Sequence, residues 1–295
     1  MNIVKPSFIE IKDDNLFKKI EHAGRTCYKS ENLITESSAL DFARRIVSYN
    51  HGSVLEHAYL VFKIDEDLYN KLYNEHLKFV KFSNITYPII SFNFRAFYNL
   101  YISNDDVDLY PIYYYMEDHY SELLSLKHDS SIKVEQLSFD DVYKLSQEEK
   151  DLHLSITLKI TTDRGVTHEL VRHRLASYAQ ESTRYCNYSK DKFNNELTFV
   201  ETYGMDEAQR DCFIEACANA EKSYFKMLSN GAKAETARSV LPNALKTEIV
   251  VTSTIDEWKI IFDLRCAPAA HPDIRFLMID IRNYFKERGY LWLLI

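Results

Sequence analysis

Glycine is scarce in this chain of 295 residues: there are six, Gly24, Gly52, Gly165, Gly204, Gly231 and Gly289, no two of them close together. That spacing excludes GxGxxG and the P-loop, the two backbone cradles for a phosphate at a helix start. Any bound phosphate must therefore be held by side chains. Basic charge is also in deficit. Lys and Arg number 36 against 44 Asp and Glu, a formal charge of -8, which disfavours nucleic acid and anionic membrane as partners. The five cysteines, Cys27, Cys186, Cys212, Cys217 and Cys266, show no CxxC or zinc-ligand spacing and read as reduced, mostly buried thiols of a cytoplasmic protein. The start, MNIVKPSFIE, has no apolar signal-peptide core, and no run approaches the length of a membrane span. No GxSxG is present, and no cysteine sits in an activating motif, so nothing marks a nucleophile.

What is present is an ordinary globular composition, 46% hydrophobic and 27% charged, and a mixture of helix and strand periods. Residues 13–23 read as a helix ending near Gly24, with 25–28 as a polar loop; about 35–49 reads as a second helix. Residues 59–64 alternate as a half-buried strand, 67–82 return to a helical period, and 93–101 are helical again. Residues 153–161 alternate strictly and predict a strand that feeds a short helix from about Arg164. Helices are expected over 206–229, 232–241, 255–264 and 273–287, with a buried strand at 248–253. Without regular βαβ alternation, the expected class is α+β, a mixed or antiparallel sheet core flanked by helices. A single domain over 1–295 is expected, with an acidic, tyrosine-rich surface insertion at about 103–150.

The densest chemistry lies in Asp163–Tyr188, DRGVTHELVRHRLASYAQESTRYCNY. Arg164, His168, Arg172, His173, Arg174 and Arg184 crowd into an acidic protein beside Ser177, Gln180, Ser182 and Thr183. Clustered arginines imply a nearby anion, since their planar forks make charge-assisted, bidentate bonds. A bland alternative stands beside this: cations in the last turn of a helix complement its dipole without any ligand. On a helix Arg172 and Arg174 would point to nearly opposite sides; they converge only if the chain leaves the helix at the triplet. Arg238 before Leu241-Pro242, Arg265 in DLRCAPAAHPDIR, and His51 and His57 in HGSVLEH add cationic positions. HGSVLEH is not HExxH and has no evident third ligand, so a metal is not expected.

Together these residues resemble the flavin-dependent thymidylate synthase family. Its signature is Arg-His-Arg, seven residues, then Ser and usually Arg two further on; here it is Arg172-His173-Arg174, residues 175–181, Ser182 and Arg184. GRTCY (24–28), HGSVLEH, DRGVTHELV, ARSVLPNALKTEIVVT (237–252) and the LeuArg of 264–265 followed by HisProAspIle match in order. The resemblance implies methylation of dUMP to dTMP, with carbon from methylenetetrahydrofolate, hydride from reduced FAD, and NADPH reducing the flavin. It implies an α+β fold and a homotetramer whose sites are shared between subunits. Arg265 is implied to bind the pyrimidine and favour ionisation at N3. Glu169, Leu170, Val171 and Arg172, with Gln180, Glu181, Ser182, Thr183 and Arg184, would line dUMP, and Arg238 would hold its phosphate side. Ser53, Arg172, His173, Arg174 and Gln180 would contact FAD.

The chain departs from the family pattern ahead of Arg265. Where Asn-x-Arg-x-Trp often supplies flavin contacts, it has Thr254 and Asp256 before Glu257-Trp258, and Ile260 falls where a polar contact is common. Asp in place of Arg reverses the charge. Two other readings stay open on that account: a pyrimidine-nucleotide hydroxymethylase, and a nucleotide-binding relative without catalysis.

Overall fold

The computed structural model describes residues 1–13, 15–49, 51–75, 77–103, 110–120, 134–190 and 193–291. The chain opens with β1 (Asn2–Val4), β2 (Ser7–Glu10), α1 (Leu16–Tyr28), α2 (Ser38–Ser48) and α3 (Gly52–Leu55). Next come β3 (Tyr59–Lys63), α4 (Glu66–Asn74), β4 (Val80–Asn84), β5 (Pro88–Asn93), α5 (Phe94–Ser103) and α6 (Tyr110–Tyr120). β6 (Glu135–Gln136), α7 (Phe139–Tyr143), α8 (Gln147–His153), β7 (Ser155–Asp163), α9 (Arg164–Leu170) and β8 (Ser177–Gln180) follow. The chain continues with β9 (Thr198–Val200), α10 (Glu207–Ser229), α11 (Ala234–Ala237), β10 (Lys246–Thr254), α12 (Ile255–Arg265) and α13 (Pro272–Glu287).

Helices flank two antiparallel four-stranded sheets, in strand orders β2-β7-β10-β8 and β4-β5-β3-β6, and β1 pairs parallel with β9. The fold is α+β, as the mixed periods predict. The central pair is β7 and β10, antiparallel from Lys246↔Asp163 to Thr254↔Ser155. Alternation decides what covers each face. Ile249 and Val251 join one core with α12 and α13, through Trp258, Phe262, Met278 and Phe285. Val250 faces the other core, with Ile20 and Ala23 of α1 and the second sheet. A third core gathers Phe199, Leu245, Cys217 and Tyr224 around β9 and α10.

Several expectations need correction. α1 does not stop at Gly24 but runs on to Tyr28, and Lys29 closes it in the left-handed region at φ 48. Gly24 is a packing residue instead: a Cβ there would meet the Phe42 ring at 2.5 Å and Val54 at 3.2 Å. The helical period over 67–82 ends at Asn74, and residues 80–84 form a strand paired with β5. The helix expected at 232–241 is α11 followed by a 3-10 turn at Arg238–Val240. Within 103–150, the described residues after 133 contribute to the core: β6 pairs with β3, and Leu137 and Val142 are buried beside Ile156 and Trp258. Ile112 and Met116 are buried against the first core.

Two histidines are buried within this framework. His57 bonds Thr252 Oγ1 at 2.8 Å, and His153 lies between Ser91 at 2.7 Å and Ser83 at 2.9 Å. Burial pushes His57 down to about 3 and His153 down to about 4, the latter also opposed by Lys81. The unfolded chain takes up these protons near pH 6.5, whereas the folded chain refuses them until far lower. Stability is therefore full above about pH 6.5 and falls as pH drops toward 4, by roughly 1.4 kcal/mol per pH unit for each histidine. Urea midpoints at pH 7 and pH 5 check this. A flat profile refutes it, and His153→Gln is expected to remove about half the slope.

Candidate active site

α9 begins at the Asp163 end of the β7–β10 pair, where the Asp163 carboxylate caps Val166 N–H at 2.8 Å. α12 begins at the opposite end, at Thr254. Both helices fold back over the same face, and their C-terminal ends meet. There Arg265 donates from Nε to His173 Nε2 at 3.0 Å, from Nη1 to Glu169 Oε2 at 2.9 Å, and from Nη2 to the Glu169 carbonyl at 2.8 Å. A guanidinium has five N–H groups, so two remain for a ligand. Burial, then the Arg265 charge, holds His173 below the ordinary histidine value. Its Nε2 accepts a bond, so the ring is neutral, with its proton on Nδ1.

The chain has left the helix before the signature triplet, since α9 ends at Leu170. Tyr178 Oη reaches the carbonyls of Leu170 at 2.8 Å and His173 at 3.0 Å, pinning the turn. Val171, Arg172 and Arg174 are exposed, whereas His173 is buried between the two arginines. β8 then carries the chain to the second half of the signature. Gln180 Nε2 contacts the hydroxyls of Thr167 at 3.0 Å and Thr247 at 3.2 Å. Ser182 N–H donates to the Cys27 carbonyl at 3.1 Å, tying GRTCY to the signature. Thr183 is buried and accepts from Arg238 Nη1 at 3.4 Å, while exposed Arg184 faces Glu235 at 3.7 Å.

Two of the expected lining residues turn inward. Leu170 is wholly buried in the core. Glu181, 1% exposed, accepts from Tyr188 Oη at 2.9 Å and pairs with Lys246 at 3.3 Å. Leu170 is closed off from solvent, and Glu181, engaged by Tyr188 and Lys246, lines a cavity of about 490 Å³ with Lys29 and Glu31. Glu181 belongs to an ionic cluster in which Glu248 takes Lys246, Lys29 and Lys159, each at 2.6 Å, and Glu31 takes Lys159 at 2.8 Å. Burial raises the Glu248 carboxyl, but Lys246 and Lys29 outweigh it and hold the group well below the usual carboxylate range.

Ser53 is half-buried on α3, whose C-cap Glu56 lines a cleft of about 330 Å³ at the start of α12. Lys78, Phe79 and Lys81 form one side of that cleft, and Leu175, Ser177, Ser253 and Thr254 line it as well. Asp256 is not a bare charge. Lys81 Nζ lies 2.7 and 2.6 Å from its two oxygens and 2.7 Å from Thr254 Oγ1. Ile260 is exposed on α12.

A model of the family described as thymidylate synthase complementing protein matches residues 11–67 and 119–288, most of the chain. The chain belongs to this family. It is 36% identical to the flavin-dependent thymidylate synthase of Geobacter sulfurreducens over 151 residues, half of this chain and 63% of that protein. The enzymes of the same name from Pyrococcus abyssi and Clostridium tetani are 36% and 34% identical over 124 and 152 residues, or 51% and 59% of their lengths. The chain thus spans about half to under two thirds of the curated relatives it matches.

The thymidylate synthase complementing protein match leaves out 68–118, which holds β4 and β5. Lys78, Phe79 and Lys81 therefore lie outside both the family pattern and the motifs that point to a site. Their signal was the alternation across Val80–Ser83, overridden by the helical period before it. Among all these contacts the ionic cluster is the one with most charge at stake. Removing the Glu248 carboxylate leaves three lysines facing each other, and Glu248→Ala is expected to cost about 3 kcal/mol in chemical denaturation. A loss under about 0.5 kcal/mol, the level of an exposed pair, would contradict this.

Proposed function

We propose that this protein converts dUMP to dTMP, taking carbon from methylenetetrahydrofolate and hydride from reduced FAD, with NADPH reducing the flavin. The observation that carries the reading is the Arg265 guanidinium, held by Glu169 and His173 with two donors free. Aimed at the uracil edge, it would stabilise negative charge as that charge develops at N3 and O2. His173 keeps the fork oriented, and its neutrality adds no second cation to the site.

The residues around the α12 cleft fit a flavin. Ser253, 6% exposed, is one of the residues lining the cleft, its Oγ is buried without a hydrogen-bond partner, and Lys81 cancels the charge of Asp256. A cleft of about 330 Å³ takes one part of a dinucleotide. Thr254, Ser177 and Ser253 would orient that part, Arg172 and Arg174 would lie along its edge, and Gln180 would touch both cofactor and substrate. When bound, the flavin supplies the hydride that completes the methyl group. Arg184, Arg238, Ser182 and Thr183 would hold the nucleotide phosphate.

β8 separates the two halves of the signature by four residues, roughly 13 Å of strand. A single mononucleotide is better enclosed when the second half comes from another copy of the chain. Exposed Val171, Leu175, Ile260 and Leu264, with Leu175 69% and Leu264 58% exposed, form an apolar margin beside Arg265 that suits such a contact. Assembly as a homotetramer with shared sites, in the cytoplasm, is part of the proposal.

Product mass tests the reaction: dTMP supports it, and a hydroxymethyl nucleotide would transfer the chain to the hydroxymethylase reading. Arg265→Ala is expected to lower turnover by about 10²–10³-fold while flavin uptake persists. Wild-type turnover in that variant would remove Arg265 from catalysis. Leu264→Glu is expected to shift native mass from tetramer toward smaller species. An unchanged tetramer would exclude that face from the interface.

A further inference from the structure

The loop that carries the second half of the signature is held at its base by two of its own residues. Glu181, 1% exposed, stands where β8 ends, and its N–H donates to the Glu248 carbonyl at 2.8 Å. Seven residues on, Tyr188, 6% exposed, donates from Oη to Glu181 Oε1 at 2.9 Å. Each end is anchored separately. The other Glu181 oxygen meets Lys246 of β10 at 3.3 Å. The Tyr188 ring lies edge-on to Phe193 at 4.8 Å, and its backbone N–H reaches Tyr224 Oη at 3.4 Å, inside the third core. The Glu181–Tyr188 bond thus ties the sheet to the third core and closes residues 182–187 into a loop.

Inside the loop the backbone turns on one carbonyl. The N–H groups of Tyr185 and Cys186 both donate to the Ser182 carbonyl, at 3.2 and 2.8 Å, and Ser182 N–H donates to the Cys27 carbonyl at 3.1 Å. Glu181, Thr183, Cys186 and Tyr188 are buried, whereas Ser182 is half-buried and Arg184 is exposed. A carboxylate next to residues that hold a phosphate opposes binding by its charge unless that charge is answered. Here Lys246 answers it, and the Tyr188 phenol takes the second oxygen. Burial, then the Glu181 charge, holds that phenol well above the ordinary tyrosine value, so it stays protonated and donates at neutral pH. A loop ordered before its ligand arrives spares binding the entropy of ordering it.

We propose that Glu181 and Tyr188 form a clasp that sets the loop 182–187 in its nucleotide-binding shape. Glu181 is a positioning residue for Ser182, Thr183 and Arg184, not a contact of the nucleotide itself. The inference rests on the reading above in which those three residues, with Arg238, hold the phosphate. It adds Tyr188 to the site, acting through Glu181, and gives the buried carboxylate of the signature loop a task.

The test is calorimetric titration of the full chain as purified with dUMP, with deoxyuridine as the phosphate-free ligand, followed by steady-state kinetics. Tyr188→Phe keeps the ring and removes only the hydroxyl. It is expected to raise the dUMP Kd and KM about fivefold, the scale of one buried hydrogen bond, with kcat changed less than about twofold. Glu181→Leu is expected to weaken dUMP at least as much. Glu181→Gln still offers an oxygen to the phenol and is expected to stay within about twofold of wild type. The double variant Tyr188→Phe with Glu181→Leu is expected to be no weaker than Glu181→Leu, because both act through one bond. Deoxyuridine affinity stays unchanged throughout. Variants that lose thermal stability but keep wild-type dUMP affinity overturn the inference and leave the nucleotide reading standing. Equal losses for dUMP and deoxyuridine overturn it as well. So does a Glu181→Gln chain as weak as Glu181→Leu, a comparison that decides alone should Tyr188→Phe fold poorly. Wild-type protein that binds no dUMP removes the nucleotide reading and this inference together.

Discussion

The register of β7 against β10 is the constraint from which the site follows. Nine residues of paired strand set a span of roughly 30 Å between the point where α9 leaves and the point where α12 leaves. α9, with seven residues, covers roughly 10 Å of the return and α12, with eleven, roughly 16 Å. The two helices start at opposite ends of the ladder and so run out of length close together. Glu169, His173 and Arg265 meet at that junction. The carbonyl ends of two helices also face each other there, a place that favours a cation. The Arg265 bond to the Glu169 carbonyl is that preference made local. A two-residue slip of the ladder would keep every side chain on its face and still separate this triad.

Charge is handled twice in a similar way in this molecule, by setting lysines against carboxylates. On the face of the sheet opposite the triad, Glu248 lies among Lys29, Lys159 and Lys246, and the cluster reaches Glu181 inside the signature. The left-handed cap at Lys29 is what turns that residue from the end of α1 onto Glu248. At the start of α12, Lys81 does the same for Asp256. Among the described residues the arginines of the signature meet few carboxylates: Arg172 and Arg174 are exposed with no ion pair, and Arg184 has a 3.7 Å contact with Glu235. An acidic protein thereby keeps a cationic face.

Much of the framework was legible because helix ends and strand periods are local. Asp206 and Gln209 form a capping box at the start of α10, and Asp163 caps α9. The alternation of 153–161 gave β7 within two residues at each end. Gly24 misled because a glycine in a helical period looks like a stop, and only the Phe42 ring across the helix pair shows otherwise. β8 was missed because four residues between two charged clusters carry too short a pattern to read. The candidate site was legible as a set of types, arginines with small polar partners at fixed spacing. The packing of each was not: Leu170 lies in the core, and Glu181 lies in the ionic cluster.

By itself the sequence determined that any phosphate must be held by side chains, because six scattered glycines allow no backbone cradle. It determined the signature spacing and, through it, the family. Tertiary structure alone decided that Arg265 is held by Glu169, 96 residues away, and that Lys81 answers Asp256 across 175 residues. The physical reason is range. Capping and periodicity act within one turn or one pleat, so the chain order records them. Charge pairing and close packing act through space, and only the folded chain brings those partners within reach.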